Sequence, residues 1–226
     1  MSIEAFKTRL SDQLNLELEL IIHENRWTML NLLHKNRSYA RLSVHKMFLE
    51  APDSVILAIA HYVRGARPGP LLRHYIQSYL ERSDYSHLLD QQKCLHQGDV
   101  YHLKSIYEDL NKKYFNNALD LSITWFGSLR KKKSRSRIIF GQYLAGLRLI
   151  KIHRMLDDPF FPEYFVAFVV YHEMLHSVVP GSLDGRGRYC FHSPAFKEQE
   201  KAFEQYQQAI AWEKTNKEKL FHYGWS

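Results

Sequence analysis

Residues 162–181, PEYFVAFVVYHEMLHSVVPG, carry two histidines four apart, His172 and His176, with Glu173 directly after the first. On a helix, positions i and i+4 share a face, so both imidazoles can reach one metal ion. Glu173 stands beside them, placed to take a proton from a water activated by that metal. A plainer reading makes the two residues core histidines with ordinary partners. Phe165, Val166, Phe168, Val169, Val170 and Leu175 surround the segment with apolar side chains, which predicts a buried helix. Buried His and Glu are costly unless something satisfies them, and a metal does so directly.

A metal held by two histidines of one helix needs a third protein ligand and leaves its fourth position to water. His192 is the first choice. It follows a glycine-rich loop (Gly181, Gly185, Gly187) and precedes Ser193-Pro194, an N-cap and first-turn pair that opens a helix expected to run to about Lys219. Glu198, Glu200 and Cys190 are the alternatives. An oxyanion partner is also wanted; Arg186, Arg188 and Tyr189 are close in sequence, and nothing selects among them.

The elements that must position these residues read as an α+β protein. A short helix is expected over 2–12, and LNLELELII (14–22) alternates apolar with polar as a half-buried strand does. TMLNLLHKN and SYARLSVHKMFL read as two more strands, joined by a turn at Lys35-Asn36-Arg37-Ser38. Helices follow from Asp53 to a stop at Gly65, and from about Leu71 to Arg82. Residues 83–98 are polar and read as a linker. Helical spacing resumes from Asp99 to Asn116, before strands at LDLSITWFG, RIIFGQYL and LRLIKIHRM. The expected architecture is a small antiparallel or mixed sheet packed on helices around a central histidine-bearing helix. Residues 1–95 form an N-terminal α+β region and residues 96–226 the histidine-bearing domain.

One internal echo runs through this order. LNLELELII followed by RLSVHKMFLEAPDSVILAIAHYV resembles LDLSITWF followed by RLIKIHRMLDDPFFPEYFVAFVVYHEM. If the two are a degenerate repeat, the first copy lacks the metal pair, its helix carrying only His61.

Composition bounds the function. Hydrophobic content of 45% and aromatic content of 14% supply a core and argue against disorder. No apolar run reaches the roughly 18–20 residues of a membrane span, no signal pattern opens the chain, and two cysteines are too few for a disulfide framework or a four-cysteine zinc ribbon. A cytoplasmic location without membrane contact is expected. The net charge of +7 is mostly local: RKKKSRSR (130–137) holds six of the 31 Lys+Arg, leaving 25 against 24 Asp+Glu elsewhere. Arg130, Lys131, Lys132, Lys133, Arg135 and Arg137 are therefore the candidate contacts to DNA phosphates. The bland alternative is a solvated loop whose charge protects a sheet edge. Trp125 and Phe126 nearby are candidates for base stacking, though core packing is their commoner use.

YHEMLH, a loop and then HSPAF, with Phe196 four residues after His192, are together similar to the SprT-like metallopeptidase family. The helix ending NKKYFNNAL, the strand SITWFG and a strand ahead of the histidine helix agree with it, over about residues 99–210. The resemblance implies a minimal peptidase domain with a zincin-type helix, in which His172, His176 and His192 bind Zn2+ and Glu173 is catalytic. It also implies kinship with proteases that act on proteins attached to DNA. Two features depart from the pattern: no cysteine follows Cys190 to form a zinc ribbon, and residues 1–95 lie outside the match. Peptide deformylases fit less well, because Cys94 lacks the Glu-Gly-Cys context. The ribosomal-RNA-maturing metalloendonucleases need a histidine six residues after the second, where this chain has Ser182.

The expected activity is zinc-dependent hydrolysis of peptide bonds in a protein or peptide substrate, with Glu173 as general base. Extended substrate would pair with a sheet edge near 138–152. The rival is a non-catalytic nucleic-acid-binding or scaffold protein with a structural zinc.

Overall fold

The structure, a computed structural model, describes residues 2–24, 30–65, 75–76, 78–79, 82, 84–127, 138–183 and 189–222. The basic run at 130–137 and most of the helix expected over 71–82 lie outside the described residues. Two compact units are present: Met1–Leu89 with Ser182–Cys190, and Asp90–Gly181 with Phe191–Ser226. Six helices and two small mixed sheets among the described residues make this an α+β protein, as the element order predicts.

The first unit runs α1 (Ile3–Ser11), β1 (Glu17–His23), β2 (Leu30–Lys35), β3 (Tyr39–His45), a 3-10 turn (Lys46–Glu50) and α2 (Asp53–Arg64). Ser2 caps α1 by accepting the Ala5 N–H. Asn36 Oδ1 accepts the N–H groups of Ser38 and Tyr39, which makes the predicted hairpin turn. Gly65 ends α2 in the left-handed region (φ 76°), where a Cβ would be strained. Strand β3 is central, parallel to β1 and antiparallel to β2. Phe6, Leu10, Leu42, Phe48 and Ile59 are fully buried between sheet and helices.

The second unit runs α3 (Leu103–Phe115), β4 (Ser122–Phe126), β5 (Gly141–Leu144), β6 (Leu149–His153), a 3-10 turn (Arg154–Leu156), α4 (Glu163–Val178), α5 (Pro194–Glu200) and α6 (Tyr206–His222). Strand β6 is central, parallel to β4 and antiparallel to the edge strand β5. Ile123, Trp125, Ile150 and Ile152 join Leu103, Phe161, Phe165 and Phe196 in one core. A short pair, β7 (Ser182–Leu183) and β8 (Tyr189–Cys190), belongs to the first unit.

The internal echo has a structural counterpart. Both units place helix, three strands, 3-10 turn and helix in the same order, with the same strand order and the same pairing senses. The registers coincide. His23 pairs with His45 at the end of β1, and Phe126 pairs with His153 at the end of β4. Each pair stacks edge to face, with ring centroids 5.7 Å and 5.1 Å apart. His45 Nδ1 accepts the Met47 N–H at 3.2 Å, and His153 Nδ1 accepts the Met155 N–H at 3.0 Å. A proline N-caps the following helix in both, Pro52 and Pro162.

Counting from those prolines aligns the two helices. His61 corresponds to Tyr171, not to a metal histidine; Tyr62 stands at the place of His172 and Val63 at that of Glu173. The place of His176 falls one residue past Gly65, where α2 has already ended.

Other boundaries differ from expectation, and two have a visible cause. Helix α3 begins at Leu103, capped by His102, because the N–H groups of Asp99, Val100 and Tyr101 are turned onto the buried carboxylate of Asp157. The C-terminal helix is broken at 201–205. There Phe203 turns inward against Tyr114, Phe168 and Tyr171, a burial that a continuous surface helix would forgo. No helix among the described residues is long and apolar enough to cross a membrane.

Candidate metal centre

Helix α4 is apolar nearly all round, and Phe165, Val166, Val170 and Met174 seat it in the core. One turn spacing brings His172 and His176 to the same face, their rings 5.0 Å apart. Ser193 caps α5 by accepting the Phe196 N–H at 3.2 Å, which fixes the chain direction just after His192. His192 thereby turns back over α4. Its Nε2 lies 3.1 Å from Nε2 of His172 and 3.2 Å from Nε2 of His176. Beneath the three imidazoles lies the fully buried ring of Phe196, 4.6 to 5.1 Å from each of them.

Among the described residues, these three histidines form the group able to hold a metal ion. The donor chemistry fits one. Tetrahedral ligation with metal–nitrogen bonds of about 2.0–2.1 Å separates the nitrogens by roughly 3.3 Å, close to the spacing here. His172 Nδ1 lies 2.6 Å from Glu200 Oε1, while its Nε2 is turned toward the other two rings. Burial, with the neighbouring His172 and His192, drives His176 down to about 3, so His176 is a neutral lone-pair donor. The three ligand nitrogens lie within 4.8 Å of one another, and a cation placed between them would take their lone pairs.

Glu173, adjacent to the group, is 6% exposed. Burial raises its carboxyl to about 7, against the opposing influence of His172 and of the Tyr143 backbone N–H that it accepts. The side chain occupies space left by Gly141 on the edge strand β5, where an added Cβ would lie 2.6 Å from its Oε1. Sequence reasoning missed Gly141 and Tyr143 as parts of the site. The signal was present for the first of them, since a glycine inside the strand pattern RIIFGQYL marks a close approach.

The remaining candidates separate from the histidine group. Glu198 pairs with Lys201 at 2.9 Å. Glu200, weighed as a ligand, instead engages the far nitrogen of His172. Cys190 is a half-buried free thiol in the stretch that belongs to the first unit. Arg186, Arg188 and the side chain of Tyr189 lie outside the described residues, as do Arg130 to Arg137. Trp125 is a core residue at 2% exposure and unfit for base stacking, whereas Phe126 is half-buried against His153.

Searches of family models, curated proteins and solved structures return no match to this chain.

Proposed function

We propose that the protein is a zinc-dependent metallopeptidase that hydrolyses peptide bonds in protein or peptide substrates. The observation that carries this reading is the buried carboxylate of Glu173 beside three converging imidazole nitrogens. His172, His176 and His192 would hold the zinc. Three histidine ligands with the fourth position left to water is the composition of hydrolytic rather than structural zinc sites. When bound, zinc supplies Lewis acidity, polarising a carbonyl and acidifying water.

Glu173 accepts a proton from the attacking water as its oxygen bonds to the scissile carbonyl carbon. The same carboxyl returns that proton to the amine as the carbon–nitrogen bond breaks. Burial raises the affinity of the carboxyl for a proton, which suits a group that must take one and give it back. Tyr143 holds the carboxylate through its backbone N–H.

Strand β5 supplies a place for the substrate. Phe140 turns its carbonyl inward to the His153 N–H at 2.7 Å, so by alternation Gly141 and Tyr143 face away from β6, and the Tyr143 N–H on that outer side is the one that meets Glu173. An extended polypeptide adds as a further strand along this edge, which runs past Glu173.

Glu173→Gln tests the assignment. The variant should keep one zinc per chain and its fold while losing cleavage of an unfolded protein at least ~100-fold. A wild type with stoichiometric zinc that cleaves neither unfolded nor DNA-bound protein would sink the hydrolase reading and leave the structural-zinc alternative.

A further inference from the structure

We propose that Glu200 is a positioning residue of the metal centre, holding His172 in the tautomer and orientation that aim Nε2 at the ion. The inference rests on the metal-binding part of the reading above and not on the hydrolysis. Its ground is the 2.6 Å contact between Glu200 Oε1 and His172 Nδ1, in which the carboxylate is 14% exposed and the imidazole 25% exposed. A neutral histidine carries its proton on one nitrogen or the other. A carboxylate at Nδ1 accepts that proton's hydrogen bond and leaves the lone pair on Nε2, where His192 Nε2 stands 3.1 Å away. Carboxylate partners of this kind also make the imidazole a stronger donor to the metal.

The surroundings hold Glu200 in place from two sides. Tyr171, next to His172 on α4, donates its hydroxyl to the carbonyl of Gln199 at 2.9 Å, tying the last turn of α5 to the histidine helix. The chain then leaves the helix at Lys201, and Phe203 anchors it in the aromatic cluster with Tyr171. Glu200 is thus the last residue of a short helix pinned on both sides. Negative charge behind His172 favours a cation on the other side of the ring.

The test is zinc affinity, measured by competition with a chromophoric chelator, in the full-length chain and in Glu200→Ala, Glu200→Gln and Glu198→Ala. Glu200→Ala should bind zinc about 10- to 100-fold more weakly. Glu200→Gln keeps an acceptor for Nδ1–H without the charge, so its affinity should fall between those of Glu200→Ala and the wild type. It also keeps the volume of the side chain, and so answers the question should the alanine variant misfold. Glu198→Ala should match the wild type, its residue being paired to Lys201 instead. Nitrogen-15 spectra of the zinc-free protein should show His172 as the Nδ1–H form in the wild type and a tautomer mixture in Glu200→Ala. Unchanged affinity in folded Glu200→Ala, or in Glu200→Gln where alanine fails to fold, would overturn the proposal while leaving the hydrolase reading intact. Tight zinc without proteolysis in the wild type would do the reverse.

Discussion

Gly141 and Glu173 share one volume: a Cβ built on the glycine would meet Oε1 at 2.6 Å and Cγ at 2.7 Å. The edge strand is therefore shaped around the carboxylate. The first unit holds apolar residues at both corresponding positions, Leu30 and Val63, and Leu30 packs against that unit's core. In both units a backbone N–H of the edge strand reaches the helix side chain, from Tyr143 to Glu173 in one and from Leu32 to the Tyr62 hydroxyl in the other. The two copies keep one scaffold and differ in what fills it.

Gly141→Ala should separate chemistry from metal binding. The methyl group cannot fit unless Glu173 moves, because it would meet Cγ as well as the carboxylate end of the side chain. Proteolysis should fall more than ~10-fold with zinc content unchanged, at a stability cost of roughly 1–3 kcal/mol from overpacking. Metal analysis, cleavage rates and urea unfolding on the same preparation would check this. Wild-type cleavage in the variant would show that the carboxylate has room to spare.

Asp157 should prove a stability residue of the second unit. Its carboxylate accepts the N–H groups of Asp99 at 2.7 Å, Val100 at 2.9 Å and Tyr101 at 3.0 Å, and it is 7% exposed. Removing it orphans donors with little water in reach. Asp157→Ala should cost about 3 kcal/mol, and Asp157→Asn less, because one oxygen remains to accept. Equal urea midpoints for alanine variant and wild type would refute the capping role.

The α+β class, the strands and the histidine helix were legible because each rests on local pattern. Alternation in LNLELELII, the proline at 162 and the Ser193-Pro194 cap are all read within a few residues. His192 was legible as a candidate because a cap fixes the chain direction beside it. Relations across the chain were not. The Glu200–His172 contact depends on where α5 ends, and that end is set by Phe203 finding Tyr114 and Tyr171. The start of α3 was misplaced for the same reason: three backbone donors answer to an aspartate more than fifty residues away. The register of the echo was hidden as well, because the spacing from cap histidine to helix proline differs between the copies, His45 to Pro52 in one and His153 to Pro162 in the other.

Lys151 offers a pH-dependent measure of the scaffold. It lies mid-strand on β6, 5% exposed, between Ile150 and Ile152, whose side chains enter the core on the other face. Its ammonium sits 4.7 Å from the ring centre of Phe126. Burial lowers it from 10.5 to about 8. The folded chain therefore binds fewer protons than the unfolded chain between about pH 8 and 10.5, and stability rises with pH across that window. Below about pH 8 the whole penalty is present, on the order of 3 kcal/mol. Lys151→Met keeps the length of the side chain and removes the charge. It should raise the urea midpoint at pH 7 and lose most of that advantage by pH 10.5, where the wild-type lysine is neutral in the folded chain and half-neutral in the unfolded one. A gain of the same size at pH 7, 9 and 10.5 would assign the effect to packing and remove charge burial as its cause.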